Sequence, residues 1–177
     1  MAGSPHVKVS DKGLANFNKA MDELSQLQAE VGLWGESKED NGARVVDVGF
    51  WNEFGTAATP ERPAIPSRPF MRRSADTGAD IVFAGALTVA RQVIAGKSNA
   101  RGLLDAAARA FKEHVKQTIR DAPRWAKPNA LSTQLAKGGK WTDQKGVEHL
   151  GTNMPLIDSH LMIATIRHRI RKKGAGK

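Results

Sequence analysis

Apolar residues return at three- and four-residue steps from Leu14 through Phe17, Met21, Leu24, Leu27 and Val31, a spacing that predicts an amphipathic helix entered at Ser10, a suitable N-cap. The period then changes. Segments 31–36 and 43–48 flank an acidic turn at Lys38–Gly42, and their β-branched alternation predicts two strands joined as a hairpin. Residues 49–54 place Phe50, Trp51 and Phe54 where a single helical turn gathers them. Pro60, Pro63, Pro66 and Pro69 follow at three-residue intervals, which suits an extended segment and excludes a helix.

Beyond Pro69, the residues Phe83, Leu87, Ala90 and Ile94, flanked by Val82, Ala86, Val89 and Val93, predict a long helix ending near Gly96. Leu104, Ala107, Ala108, Phe111, Val115 and Ile119 mark the buried stripe of a second helix, which Pro123 stops. Residues 122–157 hold three prolines and four glycines with little periodicity and read as a long extended arm. A helical turn from Asp158 leads into alternation at Ile166, His168 and Ile170, which predicts a last strand, and residues 171–177 read as a basic mobile tail. The expected architecture is a single α+β domain over residues 1–177, with a small antiparallel sheet packed by an N-terminal helix and two longer central helices.

Charge adds a polarity to this picture. The net charge is +9, yet residues 1–61 carry five basic and ten acidic side chains, so residues 62–177 carry the other 22 basic and eight acidic ones. Such an asymmetry fits a polyanion-binding surface, or an assembly in which the acidic part of one copy meets the basic part of another. The richest apolar run, Ile81 to Ile94, is interrupted by Gly85 and Arg91, so no membrane span is expected. The chain has no cysteine, and its first residues lack the basic start and apolar block of a secretory signal, which together suggest a reducing cytoplasm.

The usual signatures of chemistry are missing. Asp158, Ser159 and His160 are adjacent, whereas triad members are gathered from separate loops. Histidines 6, 114, 149, 160 and 168 do not form a zinc-binding helix pattern, and the pairs Glu113–His114 and Glu148–His149 read as polar surface. Gly138 and Gly139 lack the strand and lysine of a phosphate-cradling loop. No cofactor, metal or catalytic group is expected.

Three ordered blocks carry a family resemblance. The runs VGFWNEFGT (48–56), IPSRPF (65–70) and MPLIDSHL (154–161) resemble, in order and spacing, those of tail-completion and neck proteins of long-tailed bacteriophages. Ser159 and His160 stand where that family usually has Thr and Gly. The resemblance implies a non-enzymatic virion protein, assembled in the host cytoplasm, that forms a homo-oligomeric ring and joins other neck or tail proteins at the head-tail junction or tail end. The assembly candidates are Trp51, Phe54, Arg68, Pro69 and Phe70, of which Trp51, Phe54 and Phe70 read first as packing residues and Arg68 is the preferred surface contact, and Trp125 and Trp141 on the arm, which is expected to order on a neighbouring subunit or, in the alternative, to fold as a loop on its own domain. The rival expectation is a nucleic-acid-binding or minor capsid-associated protein. It would use Arg109, Lys112, Lys116, Arg120, Arg171, Lys172 and Lys173 against phosphates.

Overall fold

The computed structural model describes residues 11–35, 37–39, 42–61, 63–130, 133–134, 140–142, 146–150, 155–156 and 161–174. Among these, seven helices run in chain order as α1 (Asp11–Ser25), α2 (Val45–Phe54), α3 (Phe70–Thr77), α4 (Ala79–Ile94), α5 (Ala100–Arg120), α6 (Ala122–Trp125) and α7 (Leu161–Thr165). Four strands accompany them: β1 (Leu27–Leu33), β2 (Lys140–Thr142), β3 (Glu148–Leu150) and β4 (Ile166–Lys172). The fold is α+β, as the sequence patterns predict. β1 pairs with β4, and β2 pairs antiparallel with β3, with Trp141 opposite His149. β1 and β4 also run in opposite senses. Lys173, just past β4, donates to the Gln26 carbonyl just before β1, while Arg169 meets Glu30 farther along.

The chain divides into two compact units. The first draws on stretches 1–31, 79–111 and 168–177, and the second on 32–78 and 112–167. In the first, α1 packs on α4 around Ala20, Val93 and Ala100, with Leu24, Leu27, Val89 and Leu103 against that cluster. Gly85 lets α4 approach α5 closely, since a Cβ there would lie 2.8 Å from the Cβ of Ala110. β4 is tied down by its polar side chains: Arg169 bonds Glu30 at 2.6 Å, and His168 lies 2.9 Å from Asp105. In the second unit, α2 packs on α3 and α7, and the largest fully buried side chains are Phe70, Ile119, Ile166, Val45 and Val115.

Four expectations are corrected. The first helix ends at Ser25 rather than reaching Val31, because residues 27–33 are taken into the β1–β4 ladder. The hairpin over 31–48 is reduced to an isolated bridge between Lys38 and Arg44. Its second strand is replaced by α2, whose buried residues Val45, Gly49 and Glu53 recur every four positions. The arm is not structureless throughout: α6 opens it, and β2 and β3 pair within it. The basic tail begins later than Arg171, since Arg171 and Lys172 belong to β4.

Candidate functional site

The first two motif blocks meet in the second unit. Gly55 ends α2 with φ +78° and ψ 172°, a backbone conformation open to glycine and costly for other residues. The chain then turns back on itself. Thr56 N donates to Ile65 O at 2.9 Å, Ser67 Oγ to Glu53 O at 2.9 Å, and Arg68 N to Asn52 O at 2.6 Å. The proline-rich segment is thereby held against the C-terminal end of α2.

Glu53 then fixes the start of α3. Its buried carboxylate accepts from Met71 N at 2.8 Å and Arg72 N at 3.1 Å, the orphan donors of the helix's first turn. Arg72 Nε donates to the same carboxylate at 3.1 Å, and Arg72 Nη2 to the Glu53 carbonyl at 2.8 Å. An anion at a helix N-terminus is doubly favoured, by hydrogen bonds and by the helix dipole. Because these bonds engage both carboxylate oxygens, the group positions two helices.

Arg68 occupies a different place from the one expected. It is 6% exposed. Its guanidinium donates to the carbonyls of Lys127 at 2.8 Å and Pro128 at 3.1 Å, and to the side-chain oxygens of Asn52 at 3.1 Å and Asn129 at 3.0 Å. Burial lowers its pKa by disfavouring the charged form, and the four acceptors compensate. The planar fork suits this task, since it aims donors in several fixed directions at once. Arg68 is therefore an internal clasp between the proline segment and the start of the arm, not a surface contact.

The other assembly candidates separate by exposure. Phe70 is buried at 1%, Trp51 and Pro69 are half-buried, and Phe54 is 58% exposed. Phe54 stacks on Phe50 with ring centroids 4.7 Å apart, and Arg72 lies over its ring at 5.4 Å. Phe50, 59% exposed, thus joins the surface and was missed as a contact, as were Asn52, Arg72 and Asn129 among the bonded polar groups, whereas local capping or pairing by Glu53 is what its place in the aromatic block suggests. The available signal was a glutamate and an arginine set among aromatic and proline residues, which need partners if they fold inward. Trp125 packs on its own chain: its Nε1 donates to Thr118 O at 2.9 Å, and Arg73 stacks over its ring at 5.0 Å. At Trp125 these contacts follow the alternative of a segment folded on its own chain. Beside it lies a groove of about 470 Å³ lined by Ser67, Pro69, Arg72, Arg73, Trp125 and Lys127 among others. Trp141 sits in β2, and its side chain lies outside the described residues, as do Leu131 and Leu135.

Among the proposed phosphate-facing residues, Arg109 bonds Asp105 at 2.7 Å, Lys112 bonds Glu113 at 2.9 Å, and Arg171 lies 3.7 Å from Glu30. Lys116 is half-buried, while Arg120, Lys172 and Lys173 are exposed. His114 Nε2 lies 2.9 Å from Thr77 Oγ1, and the run 158–160 falls outside the described residues. Among the described residues, no group of three or more His, Asp or Glu side chains is placed to hold a metal. No single described helix is long and apolar enough to cross a membrane. Comparison with models of known families, with characterised proteins and with solved structures returns no match.

Proposed function

We propose that this chain is a non-enzymatic structural subunit of a long-tailed bacteriophage particle, forming an oligomeric ring that joins head to tail or completes the tail. The observation that supports it is the interlocking of the two blocks that carry the resemblance. Residues 52–56 and 65–72 are bonded to each other by Asn52, Glu53, Thr56, Ser67, Arg68 and Arg72. They form one structural element rather than two separate matches to a pattern. The element also presents the exposed Phe50–Phe54 pair on a rigid support, as a protein-binding surface requires. Its partners on this reading are further copies of the chain and other neck or tail proteins.

The test is a nonsense allele in the phage that encodes the chain, read by electron microscopy of the lysate. Heads and tails left unjoined, or tails of abnormal length, are expected, with rescue by the protein supplied in trans. Normal infectious tailed particles lacking the protein would sink the proposal. The nucleic-acid reading is checked on the purified protein: a steep fall of DNA affinity with salt would favour it. The carboxylates beside Arg109, Lys112 and Arg171 argue against such a surface.

A further inference from the structure

Between the two interlocked blocks the chain makes a finger. Thr56 and Ile65 are bridged in the antiparallel sense, with Thr56 N donating to Ile65 O at 2.9 Å and Ile65 N to Thr56 Oγ1 at 3.2 Å. The segment between them is therefore a hairpin centred on Pro60 and Glu61, which form its turn. Every described residue from Ala57 to Ala64 is exposed. Four steps of extended chain carry the tip about 13 Å from the bridge. Pro60 and Pro63 stiffen the finger, so little conformational freedom is lost when a partner holds it. At the tip, Glu61 accepts from the Thr59 hydroxyl at 3.0 Å and has no ion pair among the described residues.

The groove beside Trp125 is a matching socket. Its volume of about 470 Å³ lies within the roughly 300 to 1,000 Å³ of clefts that hold ligands. Trp125 and Pro69 give it an apolar wall, along which lie Lys127 and Arg73, the latter stacked on the Trp125 ring. Neither cation has an ion pair among the described residues, in contrast to Arg72, whose charge Glu53 meets. Asp76 lines the groove as well, and it too has no ion pair among them. The groove thus offers two unmatched cations and one anion, while the finger offers Glu61 followed in sequence by Arg62. Proline-stiffened segments are a recurrent occupant of aromatic-lined grooves.

We propose that this finger docks in the groove of a second copy of the chain, with Glu61 set between Arg73 and Lys127. The tip does not serve its own groove, because Ser67 and Pro69 on the groove wall stand two and four residues past Ile65, at the base of the finger. Charge favours the unlike pair. Finger on finger would set Glu61 beside Glu61, and groove on groove would set the two cations beside their copies. Unlike surfaces join head to tail, the geometry that closes into rings. The contact is that of the ring proposed above and rests on that reading.

The absence of native cysteine makes the test direct. Full-length Pro60→Cys and Ala126→Cys proteins are mixed and oxidised, with Gln92→Cys, exposed on α4, as the control. The mixed 60–126 disulfide should form at least about tenfold faster than any pair involving position 92, since docking raises the effective concentration. Wild-type protein should sediment above monomer mass. Glu61→Arg, at an exposed tip bonded only to Thr59 among the described residues, should weaken self-association by about tenfold, and adding Arg73→Glu and Lys127→Glu to the same chain should restore it. A wild-type chain that stays monomeric at about 100 μM would overturn the proposal, as would cross-linking no faster than the control. Self-association that Glu61→Arg leaves unchanged would overturn the finger contact and leave the ring to another surface. The virion reading is decided separately, by the particles of the nonsense allele.

Discussion

Replacing Arg68 by lysine keeps a positive charge in the clasp and removes the fork. Arg68 serves four acceptors on two sides, Asn52 in α2 and the 127–129 segment. A single ammonium centre cannot reach both, so two hydrogen bonds are lost and their acceptors stay partly shielded from water. At about 1 to 1.5 kcal/mol for each bond to a charged donor, Arg68→Lys should cost about 2 to 3 kcal/mol, and Arg68→Ala about 4 kcal/mol. Against a total stability of roughly 5 to 15 kcal/mol, either is severe, and a glutamate facing four oxygens should prevent folding. All four tryptophans lie in the second unit, so urea unfolding followed by their fluorescence reports on the unit that contains Arg68. With a slope near 2 kcal/mol/M, the lysine variant's midpoint should fall by about 1 M. Midpoints of both Arg68→Lys and Arg68→Ala within about 0.2 M of wild type, with assembly lost, would refute the clasp and return Arg68 to the surface.

Glu53→Gln turns one accepting oxygen into a donor facing the donors of Met71 and Arg72, and should cost about 1 to 2 kcal/mol. Amide exchange at those two residues should quicken more than elsewhere in α3. Gly55→Ala places a Cβ 2.9 Å from Ile65 O and Ser67 N at a φ of +78°, so a loss of about 3 kcal/mol is expected in thermal or urea unfolding. His168 and then Arg109 hold the Asp105 carboxyl below the ordinary carboxylate range, and Arg169 does the same for Glu30. A lowered folded pKa means this stabilisation is present above the usual carboxylate value near 4 and is lost as pH falls through the depressed one. Melting temperature should therefore drop below about pH 4, and Asp105→Asn should flatten that drop; an unchanged acid limb would count against the β4 anchor.

Much of the fold is written locally. The three- and four-residue spacing that marks α4 and α5 follows from the helix itself, as the alternation in β4 follows from the pleat, so both can be read without knowing what packs against them. The prolines before Phe70 forbid a helix wherever the segment lies, and Gly55 announces a backbone turn closed to other residues. Where one segment satisfies two periods, local reading fails. Leu24, Leu27 and Val31 fit a helix, yet β1 is claimed by β4, more than a hundred residues away in sequence. Residues 45–48 suit a strand, yet Val45, Gly49 and Glu53 at four-residue steps serve the packing of α2 on α3 and α7.

The clasp is less legible still, because a charged residue reads as surface until its partners are known. The acceptors that bury Arg68 come from 16 and from 59 to 61 residues away, and the donors that bury Glu53 from 18 and 19. The sequence by itself determined the periodic helices, the stiff proline passage and the opposed charges of the two ends, all properties of neighbours along the chain. Only the tertiary structure decided which polar groups go inside and which apolar faces stay out. Desolvating a charge is favourable only where distant segments supply its hydrogen bonds, and an apolar stripe is covered only where another helix reaches it.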